Sequence, residues 1–141
     1  MPKRRLRDDE REGLHSVYRG NVSAVYAFFS YSVDVHTAED LTAATFERVI
    51  GSWRSFDSSK ANVRTWVLVI AGNILKDHRR RQKFRVGPSL DEHPALAAHL
   101  VASNPADEWL DLNAFRTWLS DLSAREREVL GLRYGADLST E

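Results

Sequence analysis

The stretch NVRTWVLVIAGNILKDHRRRQK, residues 62–83, decides the fold. It holds no proline and is long enough for about six helical turns. On a helical wheel Trp66, Val67, Ile70 and Ile74 share one side, while Leu68, Val69 and Leu75 fall elsewhere, so the first half expects cover on several sides. That pattern predicts the central helix of a helical bundle. From Lys76 onward the same helix turns basic, with Arg79, Arg80, Arg81 and Lys83. A buried helix with a basic end presents a rigid platform to a polyanion, and nucleic acid is the first candidate.

Helical periodicity also dominates on both sides of this stretch, and strand-like alternation is nowhere sustained, so the fold class is all-α. A first helix is expected from Glu10 to Tyr31, with Leu14, Tyr18, Val22, Val25 and Phe29 as its apolar stripe. Thr37 with Asp40 three residues on resembles a capping box for a second helix running to about Trp53. Phe46, Val49, Ile50 and Trp53 are its expected buried side. Phe56 to Ala61, rich in serine and holding Asp57, reads as a loop.

Beyond the central helix, Gly87 and Pro88 end the compact part, and the weakly periodic segment to Asn104 reads as a linker with a short helical turn at Ala95 to Val101. Asn104 and Pro105 make an N-cap and first-turn pair for a helix carrying Trp109, Leu112, Phe115, Trp118 and Leu119. Ser123 and Glu126 form a capping box for a further helix through Val129, Leu130 and Leu132, ending at Gly135. Leu138 to Glu141 reads as the start of another helix, so the sequence is expected to stop within a domain. The expected organisation is a three-helix domain over 1–86, a linker over 87–104, and part of a second helical domain over 105–141.

Twenty Lys plus Arg balance twenty Asp plus Glu, a net charge of zero that hides a strong asymmetry. Lys76 to Arg85 carries six basic residues and one acid, net +5, whereas Val86 to Phe115 carries five acids and no Lys or Arg, net −5. A basic working surface followed by an acidic tether is the simplest reading. The absence of cysteine excludes disulfides and thiolate metal sites and is compatible with a reducing cytoplasm. The basic N-terminus is followed by no apolar run, as a signal peptide would require. The longest apolar run, Trp66 to Ala71, is far too short for a bilayer span.

Catalytic readings fail on spacing. His36 with Glu39 and Asp40, or Asp77 with His78, are joined by no further ligands at a metal-site or acid/base spacing, and the seven glycines form no phosphate loop. His36 reads as a loop residue before an N-cap and His78 as packing at the edge of the apolar arc. No catalytic residue, metal or cofactor is expected.

Ala38-Glu39-Asp40-Leu41 followed by Phe46, then Trp66, Ile70, Ala71, Asn73 and Asp77-His78 with the arginine run, resembles the pattern of extracytoplasmic-function (group IV) bacterial sigma factors of RNA polymerase. Leu122, Ser123, Arg125 to Leu130 and Tyr134 resemble the opening of that family's second, helix-turn-helix domain. The resemblance runs from about residue 14 to 141. It implies a sigma-2-type domain over 1–86, the linker over 87–104, and the first part of sigma-4 over 105–141, without the helix that reads the minus-35 element.

The resemblance further implies a cytoplasmic, non-enzymatic transcription factor that binds core polymerase and directs recognition and melting of the promoter minus-10 region. Asp40, Leu41, Ala44, Glu47 and Arg48 would dock on the clamp coiled coil of polymerase's largest subunit, Leu41 being the apolar member of a polar face. Ala43 and Ala44 stand where the family usually carries Gln and an acid, which costs about 1 kcal/mol per missing hydrogen bond. Ser58, Lys60, Asn62 and Arg64 would surround a base flipped out of the non-template strand. Trp66, on the apolar arc, belongs to the core instead. Asn73 and Asp77 would meet base edges or the upstream minus-10 region, and Lys76, Arg79, Arg80 and Lys83 the backbone, with Arg81 turned toward the apolar side. Three or four such contacts to a melted strand predict a slope of log K on log salt of about −2 to −3. The family also admits an anti-sigma protein as a partner. Two other readings remain open at this point: a helix-turn-helix transcriptional regulator, favoured by Leu122 to Leu130, and a helical protein-interaction adaptor that binds no DNA.

Overall fold

The computed structural model describes residues 5–84 and 118–136. The expected linker and the segment carrying Trp109, Leu112 and Phe115 lie outside the described residues, as does the helix start at Leu138. Among the described residues there are helices and turns and no strand, in accord with an all-α fold.

Helix α1 spans Asp8–Ser30. Asp8, Asp9 and Glu10 fill its first turn, where carboxylates meet the positive end of the helix dipole, and Glu10 Oε2 accepts the Arg7 N–H at 2.8 Å. Its inward face carries Leu14, Val17, Asn21, Val25, Phe28 and Phe29. The expected stripe was rotated slightly: Tyr18 is 48% exposed and meets only the edge of Phe46, their centroids 4.9 Å apart.

Helix α2 spans Val35–Ser52. It is capped by Asp34, whose carboxylate accepts the Thr37 N–H at 2.9 Å, so the cap lies three residues before Thr37 and His36 sits inside the first helical turn. Its buried face is Ala38, Thr42, Thr45, Phe46 and Val49. The two threonine hydroxyls donate to the carbonyls of Ala38 and Leu41 at 2.7 Å each, which satisfies polar groups inside the core. Ile50, expected on this face, is 50% exposed. A 3-10 turn over Trp53–Ser55 follows.

Helix α3 spans Val63–Phe84, and Asn62 caps it by accepting the Thr65 N–H at 2.8 Å. Val67, Leu68, Ile70, Ala71, Ile74 and Leu75 are all buried in one core with residues of α1 and α2, as a central helix requires. Trp53, Phe56 and Trp66 gather beside that core with centroids 5.0 to 6.1 Å apart, so Trp66 packs with neighbours as expected.

Helix α4 spans Ala124–Leu130 and begins at the expected capping box: Ser123 Oγ accepts the Glu126 N–H while Glu126 accepts the Ser123 N–H. A π-type turn over Gly131–Gly135 follows and lies against the C-terminal part of α1. Ala136 is buried in the core of the bundle and Leu132 packs against it. The two helical parts therefore make one packed unit among the described residues.

Candidate nucleic-acid and partner interface

Asp40, Ala44, Glu47 and Arg48 project from one side of α2, spaced by four, three and one residues. Asp40, Glu47 and Arg48 are exposed, whereas Leu41 and Ala44 are half-buried and packed against the core. Leu41 is thus a rim residue of the core, not an apolar side chain standing alone on a polar face.

Ala44, Glu47 and Arg48 continue across a cleft of about 370 Å³ to Ile74, Asp77 and Arg81 of α3. Arg81 lies on this cleft beside Ile74, on the side of α3 where the wheel put it, and stays exposed there. The spacing Ile74, Asp77, Arg81 is the signal that places these three on one face of α3. The α2 surface and the basic end of α3 therefore adjoin.

On the adjoining side of α3, Asn73, Lys76, Arg80 and Lys83 are exposed as expected, and Asp77 is half-buried at the cleft. Arg79 differs from them. Its guanidinium donates from Nη1 to Glu128 Oε2 at 3.0 Å, and from Nη2 to the Ala124 carbonyl at 3.0 Å and Ser32 Oγ at 3.3 Å. Local periodicity put Arg79 with Lys76 and Lys83; a partner 49 residues away turns it aside.

The loop before α3 is ordered by its own polar groups. Asp57 accepts from both the N–H and the Oγ of Ser59, and those bonds, the side-chain one foremost, hold its carboxyl below the usual carboxylate range. Ser58 and Lys60 stay exposed and open to a ligand. Asn62 is committed to capping α3. Arg64 turns onto α1, donating from Nε to Asn21 Oδ1 at 3.2 Å and from Nη2 to the Gly20 carbonyl at 2.9 Å. Asn62 Oδ1 and the Arg64 guanidinium are thus engaged within the fold, while Asn62 itself stays exposed.

Among the described residues no group of His, Asp and Glu side chains is arranged to hold a metal ion, and no helix is long and apolar enough to cross a membrane. His78 is half-buried, with Nε2 unpartnered inside the packing.

The family model of sigma-70 region 2 matches residues 17–85, the span of the bundle from mid-α1 to the end of α3. Over 118 residues the chain is 33% identical to the probable RNA polymerase sigma-C factor of Mycobacterium bovis, covering 83% of this chain and 62% of that protein. It is 32% identical over 127 residues to the ECF RNA polymerase sigma factor SigM of Bacillus subtilis, covering 89% of this chain and 76% of SigM. With the ECF sigma factor BldN of Streptomyces coelicolor the identity is 29% over 139 residues, covering 96% of this chain and 52% of BldN. The chain thus spans less than two thirds of the length of the sigma-C relative. No solved structure matches it significantly.

Proposed function

This chain belongs to the extracytoplasmic-function sigma factors of RNA polymerase, and from that premise we propose that it binds core polymerase through α2 and engages the melted minus-10 strand through α3 and the preceding loop. The observation that carries the reading is the continuity of the two surfaces: Glu47 and Arg48 of α2 face Asp77 and Arg81 of α3 across one cleft, and Asn73, Lys76, Arg80 and Lys83 continue outward from it. A polymerase subunit seated on α2 would deliver the unpaired strand directly to the cations of α3. Fixed cations on a core-anchored helix need little reorganisation to meet phosphates, while Asn73 offers both a donor and an acceptor to a base edge.

On this reading residues 1–86 act as the sigma-2 unit, 87–104 as the tether, and 105–141 as the opening of sigma-4. The clamp coiled coil of polymerase's largest subunit is the docking partner, and an anti-sigma protein is a natural competitor for the same faces. The chain works in the cytoplasm, where polymerase is, and contributes recognition while polymerase supplies catalysis. Ser58 and Lys60 are the loop groups left open to a flipped base.

Binding to purified bacterial core polymerase tests the proposal. Glu47→Lys combined with Arg48→Glu reverses two exposed charges without touching the core, unlike a change at Leu41, which packs against it. The parent is expected to bind and the double variant to lose binding while keeping its helical circular dichroism. A folded parent that does not bind core polymerase overturns the reading.

A further inference from the structure

The exposed face of α3 carries two residues that neither the packing nor the charge of that face explains. Val69 precedes Asn73, Lys76, Arg80 and Lys83 at spacings of four, three, four and three residues, so all five line one side of the helix. Val69 is 58% exposed, whereas Val67, Leu68, Ile70, Ile74 and Leu75 of the same helix are buried. Among the described residues no other large apolar side chain of α3 is left so open. Valine is also a poorer helix former than the straight-chain residues that suit an exposed position.

Gly72 follows Val69 by three residues and adjoins Asn73. A glycine inside a helix is less stable there than alanine, and here the fold does not ask for one. Among the described residues a Cβ at Gly72 would meet only Glu128 Oε1, at the ordinary contact distance of 3.8 Å, and the backbone is outside the left-handed region. Gly131 shows the opposite case, since a Cβ there would stand 2.8 Å from the Phe28 carbonyl oxygen. Gly72 thus leaves a notch of bare backbone beside Val69 and Asn73. A missing side chain of this kind lets another molecule come close to a helix.

We propose that this notch seats one unpaired pyrimidine of the strand and that Val69 reads its 5-methyl group, so that α3 prefers thymine. The proposal rests on the strand-binding reading above and adds a base preference to it. The Asn73 amide presents a donor and an acceptor side by side. Thymine complements them with O4 and N3–H, but cytosine offers its N4 amine and N3, which the same amide satisfies when turned over. Asn73 alone therefore accepts both bases. The 5-methyl group adjoins O4 in thymine and is absent from cytosine, and an apolar side chain one helical turn from Asn73 is placed to cover it. Gly72 lets the ring approach α3 closely enough for that contact.

Titration of the full-length chain with short, fluorescently labelled single-stranded homopolymers tests this. Thymidine is paired with deoxyuridine and 5-methyldeoxycytidine with deoxycytidine, so each pair differs only in the methyl group and every register offers the notch the same edge. The parent is expected to bind the methylated member of each pair about fourfold tighter, the effect of covering one methyl group. Val69→Ala should bring both ratios to unity without changing the slope of log K on log salt, because no cation is removed. Val69→Ile, which keeps the apolar cover, should keep both ratios. Gly72→Ala should melt no lower than the parent and lose the preference, its Cβ filling the notch.

Equal affinity of the parent for methylated and unmethylated strands overturns the proposal, and so does a preference that survives in Val69→Ala. A Gly72→Ala variant that melts below the parent shows that the glycine serves the fold, and overturns the notch. A parent that binds core polymerase but none of the strands overturns the base reading and leaves polymerase docking standing. A methyl preference lost in Val69→Ala, in a chain that does not bind core polymerase, upholds the base reading and removes the docking.

Discussion

Arg64 opens α3 and Arg79 lies near its end, and each turns its guanidinium onto another element instead of leaving it in solvent. Arg64 reaches neutral acceptors of α1, the Asn21 side chain and the Gly20 carbonyl. Arg79 reaches a carboxylate and a carbonyl of α4. Asn21 is itself buried, bonded through Nδ2 to the Val17 carbonyl at 2.8 Å, so its other polar end depends on Arg64. Glu128 sits on a seven-residue helix followed by two glycines that approach the α1 backbone closely. The residue type and the helix are the same; the partners differ, neutral at the start of α3 and a carboxylate toward its end.

The largest expected effect separates the two arginines by stability. Arg64→Ala strands the buried Asn21 oxygen and is expected to cost about 1–3 kcal/mol, the range for leaving a buried acceptor unsatisfied. Urea unfolding followed by circular dichroism measures it. An unchanged midpoint accompanied by weaker strand binding would break the comparison, since Arg64 would then be acting as a DNA contact.

A third arginine sharpens the contrast, because the Arg54 and Glu10 pair has the chemistry of the Arg79 and Glu128 pair but lies wholly between α1 and the 3-10 turn. Arg54 Nε donates to Glu10 Oε1 at 2.9 Å, and that bond, then the Arg7 backbone N–H, lowers the Glu10 pKa to about 2 from the ordinary 4.5. A carboxyl depressed in the folded state gives stability that is fully present above its unfolded pKa and is lost as pH falls through its folded one. The melting temperature of the parent should therefore decline between about pH 4.5 and 2. Glu10→Gln should lower it at neutral pH and flatten that decline. Some slope should remain, since hydrogen bonds also hold Asp57 and Glu126 below the carboxylate range. A parallel decline in parent and variant would show that the pair contributes nothing to the bundle.

Much of the fold was legible because it is written in local spacing. The central helix, the loop before it and the Ser123 and Glu126 capping box all follow from contacts within a few residues. Phase was harder. Tyr18 and Ile50 each sit at the edge of an apolar stripe, where a small rotation of the helix moves a side chain from core to solvent, and only packing against the neighbouring helix fixes that rotation. Asp34 and Thr37 are both competent caps, and backbone geometry chose the earlier one. The exposed basic face of α3 was legible as a surface and less so residue by residue. Asn73, Lys76, Arg80 and Lys83 stand where periodicity put them, while Arg64 and Arg79 are claimed by partners 43 to 49 residues away, and no local pattern signals such a partner.

The smallest effect on stability should come from the residues that periodicity placed well. Lys76 and Arg80 are exposed and make no ion pair among the described residues. Lys76→Ala and Arg80→Ala should therefore each leave unfolding free energy within about 0.5 kcal/mol of the parent, as surface changes away from special features do. Each should nonetheless make the salt dependence of single-strand binding shallower by about 0.7. Together with Arg64→Ala this gives opposite signatures on one helix, stability without binding at its start and binding without stability toward its end. Arg79, held by Glu128, the Ala124 carbonyl and Ser32, should lose stability on replacement by alanine where Lys76 and Arg80 do not. A Lys76→Ala variant that loses stability but keeps its salt slope would place the working surface elsewhere on α3.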